Sequence, residues 1–333
     1  MSSPADRILV NRRKFLQYLA SLAPAGGVLR SQAQEAFPSR PIRIVVSSSP
    51  GALLDASGRL YAERLAVFLK QPVTVENMPG AGGLLAVRHV AKSPADGYTL
   101  VAAANTVTMV PHLNANAGYS VKDFTAVGEM ARSPSMLVVG GASPFRSIAD
   151  LVAAAKKGPG QVSYGSGGVG TTSHLPVELF ARQAHVTFIH VPYKGNAVAV
   201  PDVASGRVGF MMGTPTSLVG LMKTGGLRAL AITAETRSPK FPDIPTFKEL
   251  GFDDATFDIW VGLLAPAGIP QSVRARLGDA LELARKDSTV IARLDGMGQV
   301  ISDVRTPDQF EAMLRTQEEK YRRLIKDANI VGG

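Results

Sequence analysis

The chain contains 333 residues, of which 45% are hydrophobic and 19% are charged, a composition typical of a soluble globular protein with room for two domains. The absence of cysteine excludes disulfides, thiolate zinc sites and a cysteine nucleophile, and the five histidines lack the H-E-x-x-H spacing of a metal-binding helix. The net charge is +9, and it is +5 (31 basic minus 26 acidic residues) without residues 1–33, a mildly basic balance that helps to attract anionic ligands. No basic block with interleaved aromatic residues indicates nucleic-acid binding.

Residues 1–36 have the pattern of a cleaved export signal. The pair Arg12-Arg13 precedes an apolar segment at residues 15–29, which proline and glycine interrupt and which is too short to span a membrane. A Ser-Gln-Ala sequence ending at Ala33 places small residues before a cleavage site. We therefore expect a periplasmic protein. The paired arginines favour twin-arginine export, with Sec export as the alternative.

The mature chain opens with short apolar runs that alternate with amphipathic segments. Strands are predicted at residues 42–46, 72–76 and 98–103, and helices at residues 55–69 and 81–91. Strand–helix alternation of this kind predicts a parallel sheet that helices cover on both faces.

The same pattern then restarts. Strands are predicted at residues 136–139, 161–164, 186–191, 208–212 and 228–233, and helices at 148–157, 172–184, 197–204 and 216–222. A run of this length is enough for a second α/β domain.

The C-terminal part is predicted to return to the first domain. Residues 258–266 read as an extended apolar crossing, and helices follow at 270–286 and from Pro307 to about residue 328, each with proline at its start. The expected domains are 37–139 with 257–333 as a discontinuous domain 1, and 140–256 as domain 2.

A glycine-rich loop at residues 165–174 is the most informative motif. It follows a predicted strand and leads, through several hydroxyl residues, into a helix. Backbone N–H groups, hydroxyls and the helix dipole together favour an anion at such a place. Two interpretations compete: a loop for a nucleotide cofactor, or a carboxylate-binding loop in an exported receptor.

Further motifs, in a fixed order along the chain, carry a resemblance to a known family. They are F-P-S-R-P-I-R-I-V-V from residue 37, V-E-N-M-P-G-A-G-G from 75, A-D-G-Y-T-L from 95, K-D-F from 122, H-V-P-Y-K-G from 190, R-A-L-A-I-T from 228 and W-V-G-L-L-A-P-A-G from 260. Over the whole mature chain they resemble the Bug receptors, the periplasmic substrate-binding proteins of tripartite tricarboxylate transporters.

The resemblance implies a type II periplasmic-binding-protein fold, with two α/β domains and a ligand cleft and hinge between them. It also implies a small carboxylated ligand, no cofactor, no metal, no catalysis, a monomer, and transmembrane permease subunits as partners. It places ligand contacts on four segments, where the expected residues are Ser48, Gly51, Ala52, Leu53, Asp55, Asn105, Thr106, Thr108, Ser166, Gly168, Gly170, Thr171, Thr172, His174 and Thr214.

The chain departs from the family pattern in two places. The usual Pro-Gly-Gly of the first loop is Pro50-Gly51-Ala52, followed by Leu53 and Leu54, which either meet an apolar part of the ligand or pack on the helix. The acidic residue that usually ends the strand at 208–212 is replaced by Gly213-Thr214. Without a carboxylate to pair with an ammonium group, a plain carboxylic acid is the expected ligand rather than an amino acid.

Several of these residues also have a purely structural interpretation. Asp55 either complements the helix dipole or organises the ligand loop. The hydroxyls of Thr171 and Thr172 either cap the helix or donate to the ligand, and His174 is either a structural hydrogen-bonding group or a ligand contact.

The alternative function is an exported NAD(P)-dependent oxidoreductase. Gly165, Gly167 and Gly170 fit a dinucleotide fingerprint between a strand and a helix, and twin-arginine export suits proteins that fold around a cofactor. Against it, the next strand ends at Val191-Pro192 without the acidic residue that binds the ribose. A hydrolase is disfavoured because the chain has no G-x-S-x-G motif.

Overall fold

The computed structural model describes residues 37–158, 160–304 and 306–327, so the expected export signal at 1–36 lies outside the described residues. The strands are β1 Ile42–Val46, β2 Val73–Asn77, β3 Thr99–Ala103, β4 Phe124–Pro134, β5 Met136–Gly140, β6 Ser163–Ser166, β7 Ile189–Pro192, β8 Phe210–Gly213, β9 Leu227–Ile232 and β10 Asp258–Pro266. The α-helices are α1 Leu53–Leu69, α2 Leu84–Ala91, α3 Thr106–Leu113, α4 Ile148–Lys157, α5 Leu175–Gln183, α6 Asn196–Ala204, α7 Pro215–Lys223, α8 Gln271–Lys286, α9 Ser288–Gly296 and α10 Pro307–Asp327. Of the helices in these ranges, none combines the length and apolar character that a membrane crossing needs.

The strands form two five-stranded sheets. The first has the order β2-β1-β3-β10-β4 and the second the order β7-β6-β8-β5-β9. We call residues 37–134 and 258–327 the first lobe and residues 136–256 the second lobe. This two-sheet α/β architecture confirms the predicted fold class.

Each sheet is mixed rather than parallel, which corrects the sequence-based expectation. β1 runs parallel to β2 and β3, and β6 runs parallel to β7 and β8. β10 and β5 run antiparallel to their neighbours because they enter their sheets from the other lobe. The expected domain boundary at residue 140 also needs correction, since Met136–Gly140 is hydrogen-bonded within the second sheet.

Both faces of each sheet are buried. In β1, Ile44 and Val46 belong to one apolar cluster, whereas Val45, between them, belongs to another. In β5, Leu137 and Met136 are divided in the same way. Strand side chains alternate between faces, so this division shows a hydrophobic core on each side of the sheets. Because both faces are closely packed, the sheets hold the loops at their strand ends in fixed positions.

Two chain segments cross between the lobes, and Thr233 joins them. The Thr233 hydroxyl donates to the carbonyl of Phe257 and accepts from the amide of Ser135 at 2.8 Å. The main chain adds bonds from Thr233 N to Ser135 O (2.8 Å) and from Phe257 N to Thr233 O (3.0 Å). Thr233 is completely buried, so this joint is sheltered from water.

Candidate functional site

The loops that follow β1, β3, β6 and β8 lie at the carboxyl ends of parallel strands, where open α/β sheets bind ligands. The loops of the two lobes face each other across a cleft. A Cβ atom added to Gly82 would lie 3.3 Å from the carbonyl oxygen of Val169, and one added to Gly195 would lie 3.7 Å from Ser49 Oγ. The predicted contact residues therefore come from segments that meet at this cleft.

Asp55 organises the loop after β1. Its buried carboxylate accepts hydrogen bonds from the Gly51 amide (2.8 Å), Arg59 Nε (2.9 Å) and Asn77 Nδ2 (2.8 Å). Asn77 also donates to the carbonyl of Ser48 at 3.0 Å. Because three donors occupy the carboxylate, the structure favours the loop-organising role over direct contact with a ligand.

The residues of this loop that lead into α1 present main chain rather than side chains. Leu53 lies in the core of the first lobe and Leu54 packs against it, which favours packing over contact with an apolar part of a ligand. Ala52 precedes α1 without a side-chain cap, and the amides of Leu53 and Leu54 have no acceptor among the described residues. Gly51 has φ of 78°, which lets the chain turn into the helix.

The loop after β3 serves mainly to hold the hinge. The buried Asn105 side chain donates to Asp258 O (3.1 Å) and to the Tyr321 hydroxyl (3.0 Å), and it accepts from the Trp260 amide (3.1 Å). The Thr108 hydroxyl donates to Asn105 O at 2.8 Å. Asn105 and Thr108 are thus engaged within the framework, and their expected ligand contacts stay predictions.

Thr106 differs from Asn105 and Thr108. It is the first residue of α3, and its hydroxyl has no hydrogen-bond partner within the described part of the chain. Thr106 therefore keeps a polar group available at the end of β3.

Side chains of the glycine loop accept hydrogen bonds from three of its own amides. Gly167 N donates to Ser173 Oγ (2.9 Å), Gly168 N to Ser166 Oγ (3.0 Å) and Gly170 N to His174 Nδ1 (3.3 Å). The Thr171 hydroxyl donates to Gly168 O at 2.7 Å. The geometry gives Ser166, Thr171 and His174 structural roles within the loop.

A buried aromatic and acidic cluster supports this loop from below. The His174 ring lies 4.3 Å from the His190 ring, and Tyr164 stacks on His190 at 4.8 Å. Tyr164 donates to Glu178 Oε1 at 2.5 Å. Burial lowers the pKa of His174 to about 4, and burial with the neighbouring His174 lowers the pKa of His190 to about 4. Both rings are therefore neutral at pH 7, and His174 Nδ1 can accept from Gly170.

A smaller set of polar groups stays unengaged at the cleft. The amides of Val169, Thr172 and Ser173, and the hydroxyls of Thr172 and Thr214, have no partner anywhere in residues 37–158, 160–304 and 306–327. Thr214 precedes α7, as Ser173 and His174 precede α5. These helix starts leave donors directed away from their own helices, an arrangement suited to an anion.

Two contributors to the cleft are not among the residues expected from the sequence. Residues 80–83 all have positive φ, and Gly82 among them lies against Val169 and Thr171 of the other lobe. Asn196 Oδ1 accepts from Ser173 Oγ at 2.7 Å and so holds the glycine loop from α6. The closely spaced glycines of the P-G-A-G-G motif were a usable signal for the first, whereas nothing local marks Asn196.

Comparison with known proteins decides the family. A family model described as the tripartite tricarboxylate transporter family receptor matches residues 58–330. The chain belongs to this family. Among solved structures, this receptor is similar to the periplasmic binding protein BugD, with 29% identity and a TM-score of 0.83 over 89% of this chain and 99% of BugD. The resemblance inferred from the sequence motifs is confirmed.

Two further solved relatives contain carboxylates. MatC from Rhodopseudomonas palustris with bound malate is 28% identical, with a TM-score of 0.82 over 87% of this receptor and all 100% of MatC. Rpa4515 from R. palustris with adipate is 30% identical, with a TM-score of 0.82 over 89% of this receptor and 99% of that protein. None of these comparisons supports the oxidoreductase alternative.

Proposed function

We propose that this receptor captures a small organic acid between its lobes in the periplasm. The observation that carries the proposal is the set of unengaged amides and hydroxyls at the starts of α5 and α7 in the second lobe, including Thr172 and Thr214, together with the unengaged amides at the start of α1 in the first lobe. A carboxylate that leaves water must regain its hydrogen bonds, and such donors supply them. The malate and adipate held by similar proteins support a dicarboxylate as the ligand.

The structure also supports a plain acid over an amino acid. The Asp55 carboxylate at the first loop already accepts three hydrogen bonds from the protein. Thr214 stands at the position where the family pattern usually has an acidic residue. An ammonium group placed at the cleft would lack a free carboxylate partner. We therefore propose a dicarboxylate or tricarboxylate without an amino group.

The lobes are proposed to act as two domains that close on the acid. Contacts across the cleft support closure: Thr216 donates to Met297 O at 2.9 Å, and Lys240 pairs with Asp295 at 2.7 Å. A ligand held by both lobes favours the closed state by its differential affinity. The domain boundaries we propose follow the crossings at residues 134–136 and 256–258.

A thermal-shift panel tests the ligand class. The mature protein would be heated with malate, adipate, citrate, benzoate, glutamate and NAD. At 100 times Kd a ligand adds about 2.7 kcal/mol to the stability, roughly 4 °C for a protein of this size. We expect one of the plain acids to give this shift. A shift with NAD alone would overturn the receptor function.

Substitution at Thr172 tests the site itself. Thr172→Val removes a hydroxyl that has no partner within the described residues, so the fold should keep its stability. Loss of one hydrogen bond to a carboxylate costs about 1.5–3 kcal/mol, so calorimetry should show binding of the selected acid weakened roughly 10- to 100-fold. Thr187→Val, at an exposed position of the same lobe, is the matched control and should bind normally. Equal affinities for both variants would remove Thr172 from the site.

Delivery to membrane permease subunits and export through the twin-arginine route are proposed from the family and from residues 1–36. Uptake of the labelled acid should fall when the gene for this receptor is deleted and recover when it is restored. Mass spectrometry of the periplasmic fraction should find a chain that begins near residue 34. Undiminished uptake after deletion would contradict delivery and leave acid binding standing.

A further inference from the structure

A second cavity, separate from the cleft, lies at the hinge. Its volume is about 200 Å³, and its walls come from both lobes and from the crossing at residues 256–258. Glu235 contributes from the second lobe, whereas Arg132 and Lys320 contribute from the first. A cavity somewhat smaller than this can hold benzene, so a small organic molecule fits within the volume.

The cavity contains opposite charges that do not pair with each other. Within the described residues, the Asp258 carboxylate and the Lys320 ammonium form no hydrogen bond or ion pair. They are therefore more than 4 Å apart. Burial raises the pKa of Asp258, although the charge of Arg132 partly offsets it. A partly buried carboxylate without a hydrogen-bond donor is costly unless a ligand supplies one.

The other polar groups of the wall are also incompletely used. The Thr256 hydroxyl is buried and has no partner among the described residues. Glu129 holds Arg132 at Nε and at one terminal nitrogen, which leaves the other terminal nitrogen available. Trp260 donates to the Gln317 carbonyl at 2.7 Å, so the Gln317 amide group remains a donor. The cavity wall thus carries the Asp258 and Glu235 carboxylates as acceptors, together with unengaged donors on other side chains of the wall.

We propose that this cavity binds a small zwitterion, with its ammonium group on Asp258 and its carboxylate on Lys320 and Arg132. A single molecule that carries both charges bridges the gap that the two side chains leave open. Two separate ions would each lose translational freedom on binding, whereas one zwitterion does so once. The aromatic rings of Phe257 and Trp260 flank the space and suit its short methylene chain.

The test is calorimetry on the full mature chain with glycine, β-alanine and 4-aminobutanoate. Acetate and methylammonium serve as half-ligands that carry one charge each. We expect at least one zwitterion to bind at least tenfold more tightly than either half-ligand. Absence of binding by all three zwitterions, or equal binding by acetate, would overturn the proposal.

Variants locate the binding. Asp258→Asn and Lys320→Gln should each weaken the zwitterion at least tenfold, because each removes a charge-assisted hydrogen bond. Asp243→Asn and Lys326→Gln make the same chemical changes at exposed positions and should leave binding unchanged. Thr172→Val should also leave it unchanged, which separates this cavity from the cleft. Zwitterion binding that survives both Asp258→Asn and Lys320→Gln would place the ligand elsewhere.

Discussion

At the scale of single residues, the polar side chains of the cleft fall into two groups: those that hydrogen-bond within the protein and those that have no partner among the described residues. Asp55 and Asn105 hold main chain in place, whereas Thr172 and Thr214 keep free hydroxyls. Sequence cannot separate the two groups, because the partners of Asn105 lie more than 150 residues away along the chain. The residue types predict a polar cleft, and only the fold decides which groups remain available.

His174 gives a prediction on acid stability. Its pKa lies near 4 in the folded protein and near 6.5 in the unfolded chain, so the unfolded state binds more protons between these values. Stability from the neutral ring is complete above pH 6.5 and is lost as the pH falls towards 4, by about 3 kcal/mol. His190, whose pKa is also near 4, acts in the same direction, while Glu178 lies beside both rings.

Urea unfolding between pH 7 and pH 4 measures this effect. His174→Gln keeps an acceptor for the Gly170 amide and removes the titration, so the stability of the variant should depend less on pH. His185→Asn changes an exposed histidine with positive φ and should keep the dependence of the wild type. If the free energy of unfolding of His174→Gln falls as steeply between pH 7 and pH 4 as that of the wild type, His174 is not the source of the pH dependence.

At the scale of elements, the sequence patterns located most strands and helices but missed three. α3 starts with the β-branched run Thr-Val-Thr and contains Pro111, both weak signals for a helix. β4 is buried on both faces for most of its length, so its residues do not alternate. α9 follows α8 after the single residue Asp287, which caps it by accepting from the Thr289 amide at 2.8 Å. The sequence pattern therefore failed for three different reasons: poor helix formers in α3, burial on both faces in β4, and a cap shared with the preceding helix in α9.

The glycine loop also depends on a close approach between elements. Gly170 has φ of 75°, and a Cβ atom there would lie 2.9 Å from Leu113 Cδ1 in the first lobe. Gly225 has φ of 76°, but nothing lies within 4 Å of its added Cβ. The two glycines share a backbone conformation and differ in whether the other lobe is near.

This contrast predicts different outcomes for two alanine variants. Gly170→Ala and Gly225→Ala should each lose about 1 kcal/mol of stability from left-handed strain. Gly170→Ala should in addition weaken the selected acid about tenfold, because its methyl group opposes closure against Leu113. Calorimetry and urea unfolding measure both quantities. Equal acid affinity for the two variants would mean that the loop does not approach the first lobe when ligand binds.

At the scale of the whole molecule, closure requires the crossing segments to keep their alignment. Thr233 aligns them through one hydroxyl that bonds to Ser135 and Phe257 at once. Strands β4 and β10 start their pairing next to this joint, with Asp258 opposite Pro134, and continue it to Pro266 opposite Phe124. A misalignment of the two crossing segments would therefore disturb the strand pairing in the first sheet. The apolar residues Leu175 and Leu179 of α5 also pack with the core of the first lobe. The lobes thus share buried structure at the hinge and polar contacts at the cleft.

Thr233→Val tests the joint at nearly constant volume. It leaves the buried Ser135 amide without its side-chain acceptor, so unfolding in urea should show a loss of about 1–3 kcal/mol. Thr233→Ser keeps the hydroxyl and removes only a methyl group, which should cost about 1 kcal/mol or less. The order of stability should therefore be wild type, then Thr233→Ser, then Thr233→Val. If the valine variant is instead the more stable of the two, burial of the methyl groups rather than the hydroxyl holds the crossings together.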